Sequence, residues 1–156
     1  MSLTRRYPPP PSRPPVLYVA GPLFTPSERR LVEKVADVCT PLGFQTFVPH
    51  RDAGIFGPRR GGATRLFRAD LAGLAIAQCL VAILNGPEVD PGTAWEVGYA
   101  YPRGIPILGY VDDLRAAAGP NPVDMMVSQS CTAIVRTLPA LATALRGIHR
   151  RLAQAA

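Results

Sequence analysis

The chain predicts a doubly wound α/β sandwich, a five-stranded parallel sheet with helices on both faces. Five short apolar runs alternate with longer stretches of helical periodicity, the pattern of such a sheet. The run CLVAIL, Cys79 to Leu84, is apolar without a break, as strands buried on both faces of a parallel sheet are. Asn85-Gly86-Pro87 ends that run and Asp90-Pro91 then opens a helix, which makes a strand-loop-helix crossover. Crossovers of this kind are right-handed, and ligands gather beyond the carboxyl ends of the strands they join.

Residues 1–15 read as an arm, because YPPPPSRPP holds too many prolines for a helix or a central strand. The domain runs from 16 to 156. Val16–Ala20 (VLYVA) is the first strand and breaks at Gly21-Pro22. Thr25–Cys39 is a helix with a Thr-Pro-Ser-Glu start and apolar residues at Leu31, Val32, Val35 and Val38. Phe44–Val48 gives the second strand, Arg51–Gly62 a loop rich in Gly, Pro and Arg, and Ala63–Ala77 a second helix leading into CLVAIL. The helix from Pro91 continues through Trp95 to Tyr101 and stops at Pro102 and Gly104. Ile105–Gly109 is the fourth strand, Val111–Gln129 a loop with a short turn, Thr132–Val135 the fifth strand and Leu138–Ala153 the closing helix. The first turn, Gly21-Pro22-Leu23-Phe24-Thr25, has one glycine and neither a GxGxxG nor a Walker pattern. The ligand expected is therefore small and weakly charged rather than a dinucleotide or a nucleoside triphosphate.

A chain of 156 residues with 47% apolar content fits one domain with a proper core. No run approaches the roughly 20 apolar residues that span a bilayer, and the Arg- and Pro-rich start lacks the apolar core of a signal peptide. A cytoplasmic location is expected. Cys39, Cys79 and Cys131 are odd in number and widely separated, which suits reduced, packed thiols. With only His50 and His149 besides, no cluster has metal-ligand spacing, and neither a metal nor another cofactor is expected. The net charge of +6 resides in the ends, since residues 14–145 balance 11 basic against 11 acidic residues. No specific nucleic-acid partner is expected, and no membrane partner.

The densest chemistry lies in NGPEVDPGTAWEVGYA, Asn85 to Ala100, where an aspartate and a glutamate stand six residues apart across a helix start. Asp90 reads as the N-cap and Pro91 as the first helical residue. Glu96 follows near the helix start, where the dipole favours an ionised carboxylate, so an anion is expected there at neutral pH. Such an anion acts as a nucleophile or stabilises a cation. Taken alone, each residue also has an ordinary reading. Asp90 could simply cap its helix, Glu96 could be a surface glutamate, and Tyr18 could be a core tyrosine of an apolar strand. Asp70 could be a solvated neighbour of Leu66, Phe67, Leu71 and Leu74.

Five segments in order, LYVAGPLFT (Leu17–Thr25), FVPHRDAG (Phe47–Gly54), the Asp70 helix, VDPGTAWEVGYA (Val89–Ala100) and PVDMMV (Pro122–Val127), resemble the nucleoside 2-deoxyribosyltransferase family. The specific part is Asp-Pro-Gly-Thr-Ala-Trp-Glu-Val-Gly-Tyr-Ala. The resemblance implies a flavodoxin-like fold and a retaining, two-step transfer of 2-deoxyribose between nucleobases. It implies that Glu96 is the nucleophile and that Asp70 and Asp90 hold the base and manage its protons. It implies too that Tyr18 orients the nucleophile through its hydroxyl. Gly21, Phe24, His50, Gly92, Asn121 and Asp124 are the expected substrate contacts. The family places an amide residue of a neighbouring subunit on the sugar 5′-hydroxyl, in a Pro-x-Asn-x-Met context. Here that position is Asp124, in Pro122-Val123-Asp124-Met125-Met126, with Asn121 close enough to shift the alignment. A carboxylate accepts a bond from a 5′-hydroxyl but repels a 5′-phosphate.

The expected partners are deoxynucleosides and free bases, in a homo-oligomer that shares its sites, with Met125 and Met126 at the contact. The loop Gly54–Gly62 is expected to cover the base. Arg59 and Arg60 keep a second reading open, an N-glycosidase that hydrolyses nucleoside 5′-monophosphates with the same residues. A nucleotide-sensing module that keeps the fold without turnover is the third.

Overall fold

The computed structural model describes residues 13–55, 57, 62–113 and 123–155. Arm residues 1–12, Arg59, Arg60, Asn121 and Pro122 therefore lie outside the described residues, as does most of the segment expected to cover the base. Strand β1 (Val16–Ala20) takes the centre of the chemistry. It pairs in parallel with β2 (Gln45–Phe47) on one side and β3 (Cys79–Ile83) on the other, Tyr18 standing opposite Phe47 and Leu80. β4 (Ile107–Tyr110) and β5 (Ala133–Val135) extend the sheet to the order β2-β1-β3-β4-β5, all parallel. This is the flavodoxin-like order, and its direction reverses between β1 and β3, where a crevice opens at the carboxyl ends.

Helix α1 (Pro26–Cys39) begins with a capping box, the Thr25 hydroxyl accepting from the Glu28 backbone and the Glu28 carboxylate from that of Thr25. Helix α3 (Gly62–Ile76) precedes β3, and α4 (Pro91–Ala100) follows it with Asp90 as N-cap and Pro91 in the first turn, as expected. A single turn of 3₁₀ helix, Tyr101–Arg103, ends α4 at Gly104, whose φ of +67° suits glycine. Helix α6 (Leu138–Ala155) closes the domain.

Two short helices replace expected loop. Pro49–Asp52 forms α2, because Pro49 is preset for a first helical position and the Asp52 carboxylate folds back to accept the Val48 N–H at 2.6 Å. Met125–Ser130 forms α5, capped by Asp124. β4 begins two residues later than expected, since Pro106 lacks an N–H for the ladder and serves through its carbonyl, which accepts from Leu80.

Alternation along the strands divides the interior in two. Leu17, Val19, Cys79, Val81, Ile83 and Leu108 meet α1 and α6 through Val32, Val35, Leu141, Leu145 and Ile148. Tyr18, Ala20, Leu80, Ala82 and Ile107 face Leu74, Val97 and Val127 of α3, α4 and α5. No described helix is long and apolar enough to cross a membrane.

Candidate active site

The site is built on the second of these faces. Tyr18 leaves the middle of β1 fully buried, and its hydroxyl donates to Glu96 Oε1 at 2.6 Å, 78 residues away in the chain. Phe47 of β2 holds the phenol ring by stacking on it, centroids 5.2 Å apart and planes 12° from parallel. Gly73 of α3 makes room for the Phe47 ring, since a Cβ at 73 would stand 2.7 Å from it. The strand tyrosine is thus both a core residue and the support of a carboxylate.

Glu96 projects from the sixth residue of α4 and is pushed up to about 8. Burial is the main cause, the Tyr18 bond pulls the other way, and Asp70 and Asp90 add repulsion. The expectation of an anion held at neutral pH by the helix dipole is corrected here. The dipole fades within the first turn, and Glu96 lies beyond it, partly buried between α4 and β1. Asp70 of α3 is raised to about 6 by burial, and its Oδ1 is buried with no hydrogen-bond partner among the described residues. Burial likewise keeps the Tyr18 phenol neutral, well above its ordinary range.

Asp90 caps α4 as the sequence implied, and its Oδ2 accepts from both the backbone N–H and the hydroxyl of Thr93, at 2.9 and 3.0 Å. Capping leaves it on the wall of the cavity. That cavity, about 500 Å³, opens at the carboxyl ends of β1 and β3 and is lined by Gly21, Phe24, His50, Asp70, Asp90, Gly92 and Glu96. Seven of the ten residues singled out from sequence meet there. Phe24 is exposed at the rim, and His50 of α2 joins its Nε2 to Glu33 Oε1 at 2.9 Å while its Nδ1 is buried and unpartnered. An adjoining, more apolar cavity of about 450 Å³ shares Asp70, Gly92 and Glu96 and is walled by Phe67, Leu71 and Trp95.

The remaining three residues stand elsewhere. Tyr18 lies behind Glu96 rather than on the cavity wall. Asp124 caps its own helix through Oδ1, accepting from Met126 and Val127 N–H, and does not line the cavity of its own chain. Asn121 is outside the described residues. Sequence reasoning passed over Thr93 and Arg29. Thr93 could have been found from its position three residues after an N-cap aspartate, where a hydroxyl reaches back to the cap. Arg29 lines the cavity and donates from one nitrogen to the Leu23 and Phe24 carbonyls, holding the β1–α1 loop. Among the described residues no group of three or more His, Cys, Asp or Glu could hold a metal ion.

A partly buried nucleophile candidate supported by a phenol, with two further carboxylates on the wall of one cavity, suits chemistry at a cationic carbon. The family described as Nucleoside 2-deoxyribosyltransferase matches residues 17–134. An uncharacterised protein of Schizosaccharomyces pombe is 31% identical over 113 residues, 67% of this chain and 54% of that protein, so the chain spans about half the length of that relative. Among solved structures, a conserved protein of Enterococcus faecalis V583 superposes with a TM-score of 0.72 at 22% identity, covering 85% of this chain and 98% of the other. The 2-deoxyribosyltransferase of Bacillus psychrosaccharolyticus gives 0.68 at 22%, covering 83% and 95%. That of Leishmania mexicana gives 0.64 at 19%, covering 85% and 97%. These likenesses establish the shared fold, while the match over residues 17–134 establishes descent: the chain belongs to the nucleoside 2-deoxyribosyltransferase family.

Proposed function

We propose that this protein transfers 2-deoxyribose from one nucleobase to another through a covalent sugar-enzyme intermediate on Glu96. The observation that carries the reading is the Tyr18–Glu96 hydrogen bond at the floor of a cavity that Asp70 and Asp90 also line. A carboxylate oxygen of Glu96 bonds to C1′ while the C1′–N bond breaks, its electron pair leaving with the base. The proton that Glu96 gives up as it becomes an anion passes to Asp70, raised to about 6 by burial, which supplies it to the departing base. Asp90 acts as acceptor for a base N–H. An incoming base then attacks C1′, releases Glu96 and returns a proton to Asp70. Two inversions give net retention. Positive charge develops on the sugar in both steps, and the anion of Glu96, costly in the empty site, is stabilised when that charge arises.

A homo-oligomer that shares its sites belongs to the same reading. Met125 and Met126 are well exposed on α5, and Phe67 and Trp95 are exposed at the second cavity, so a partner would have apolar side chains to cover. Asp124, the cap of α5, would stand at that contact, with Asn121 nearby in sequence. Hydrolysis of a nucleoside monophosphate is less favoured, because the lining Arg29 is engaged with two backbone carbonyls.

The test is a reaction containing deoxyinosine and adenine, run beside deoxyinosine alone, a deoxynucleoside monophosphate alone, and the Glu96→Ala protein. Deoxyadenosine is expected only with adenine present, falling at least about 10³-fold in Glu96→Ala. Free base released from the monophosphate without an acceptor would move the assignment to the N-glycosidase. Binding without product from purine or pyrimidine deoxynucleosides would favour the sensing module.

A further inference from the structure

Among described residues with an amide, charged or aliphatic hydroxyl side chain, Thr93 is the one that is fully buried, at 1% exposure. It is the third residue of α4, and its two donors, backbone N–H and Oγ1, converge on the same oxygen of Asp90. A second aspartate cap in this chain shows what capping alone requires. Asp124 opens α5 with two backbone N–H bonds, from Met126 and Val127, and no side-chain donor among the described residues. The Thr93 hydroxyl is thus additional to the cap. A valine would fill the same volume without a buried polar group, so what the hydroxyl adds is the bond to Asp90.

That bond has a geometric consequence. With one donor a carboxylate swings about its Cβ–Cγ bond; with two donors on Oδ2 from different directions it is held. Gly92 allows this, since a Cβ there would press on Oδ2 at 3.1 Å. Oδ1 is then the oxygen left for a ligand in the cavity that Asp90 and Thr93 both line.

We infer that Thr93 is a positioning residue for ligand recognition, its hydroxyl fixing the Asp90 carboxylate so that one oxygen is presented to a nucleobase N–H. The inference rests on reading the cavity as a nucleoside site. It adds that base affinity depends on a threonine that itself touches the reaction only through Asp90.

The experiment compares the full-length wild type, Thr93→Val and Thr93→Ser. Adenine affinity is measured by calorimetry, kcat and KM for transfer from deoxyinosine by chromatography, and thermal midpoints by circular dichroism. Thr93→Val is expected to weaken adenine binding about tenfold, the loss of one charge-assisted hydrogen bond, and to raise the KM for adenine more than it lowers kcat. Thr93→Ser should restore both to within about twofold of wild type, with all three midpoints within a few degrees. Unchanged affinity in Thr93→Val overturns the inference, as does a lowered midpoint with unchanged affinity in the folded fraction. If Thr93→Val does not fold, Gly92→Ala tests the same oxygen and should show the same loss; unchanged affinity there overturns the inference. Wild-type protein that binds adenine without transferring sugar would defeat the transferase reading alone, and the valine and serine variants would still decide the role of Thr93. Absence of adenine binding in the wild type would overturn both.

Discussion

The two faces of one sheet do different work in this molecule. Behind it, α1 and α6 seal β1, β3 and β4 with side chains such as Val32, Val35, Leu141, Leu145 and Ile148, nearly all hydrocarbon. In front, α3, α4 and α5 cover the same strands incompletely, and the gaps hold a phenol, three carboxylates and two cavities. Adjacent residues of one strand serve the two sides, Leu17 and Val19 the sealed face and Tyr18 and Ala20 the open one. The sealed face supplies apolar burial, and the open face uses part of the resulting stability to keep carboxyl groups out of water.

The comparison is broken most forcefully from behind. Leu145→Ala on α6 removes a fully buried side chain and should cost about 3 kcal/mol of unfolding free energy. Chemical denaturation measures that loss, and transfer per folded molecule should stay within twofold of wild type. An equal fall in kcat would mean that the faces are coupled.

Glu96→Gln tests the front from the side of stability. Glu96 has an ordinary value of 4.5 and is raised to about 8 in the folded protein, so folding takes up a proton between those values. The favourable contribution is complete below about 4.5 and is lost as pH rises through about 8. Glutamine carries no charge to desolvate. The variant should therefore match wild type near pH 4.5 and become progressively more stable than it toward pH 8. Thermal melts across that range check the sign, and an advantage that grows toward acid would refute the burial argument.

The smallest expected effect is the sharpest. Tyr18→Phe deletes the donor that favours the Glu96 anion, so the rising limb of kcat/KM against pH should move upward from about 8. At pH 7 the loss should be about tenfold, shrinking as pH rises, with little change in unfolding free energy. A uniform loss at all pH values would assign the hydroxyl to substrate rather than to Glu96.

Most of the sealed face was legible in the sequence because amphipathic spacing and apolar strand runs report burial directly. Val32 and Val35 on α1 and the CLVAIL strand are cases. α2 and α5 were not, since four to six residues are too short to show a helical period, and only Pro49 and the Asp124 cap marked them. The open face was legible in identity but not in energetics. The family resemblance brought Tyr18, Asp70, Asp90 and Glu96 forward, and helix position correctly gave the Asp90 cap. The protonation of Glu96 depends on burial created by α3 and β1, which lie far away in sequence. Local dipole reasoning therefore pointed the wrong way. Thr93 was overlooked because its partner is a carboxylate already explained as a cap.

Trp95, the only tryptophan in the chain, walls the cavity that adjoins Glu96, with Phe67 edge-on at 5.9 Å and Tyr99 stacked at 5.7 Å. About half of it remains open to solvent. The protein thus carries a built-in optical reporter within one residue of its proposed nucleophile. Any base that enters, any partner that covers the second cavity, and any charge that appears on Glu96 changes the surroundings of a single emitting indole, whose fluorescence can be followed in the time of one turnover.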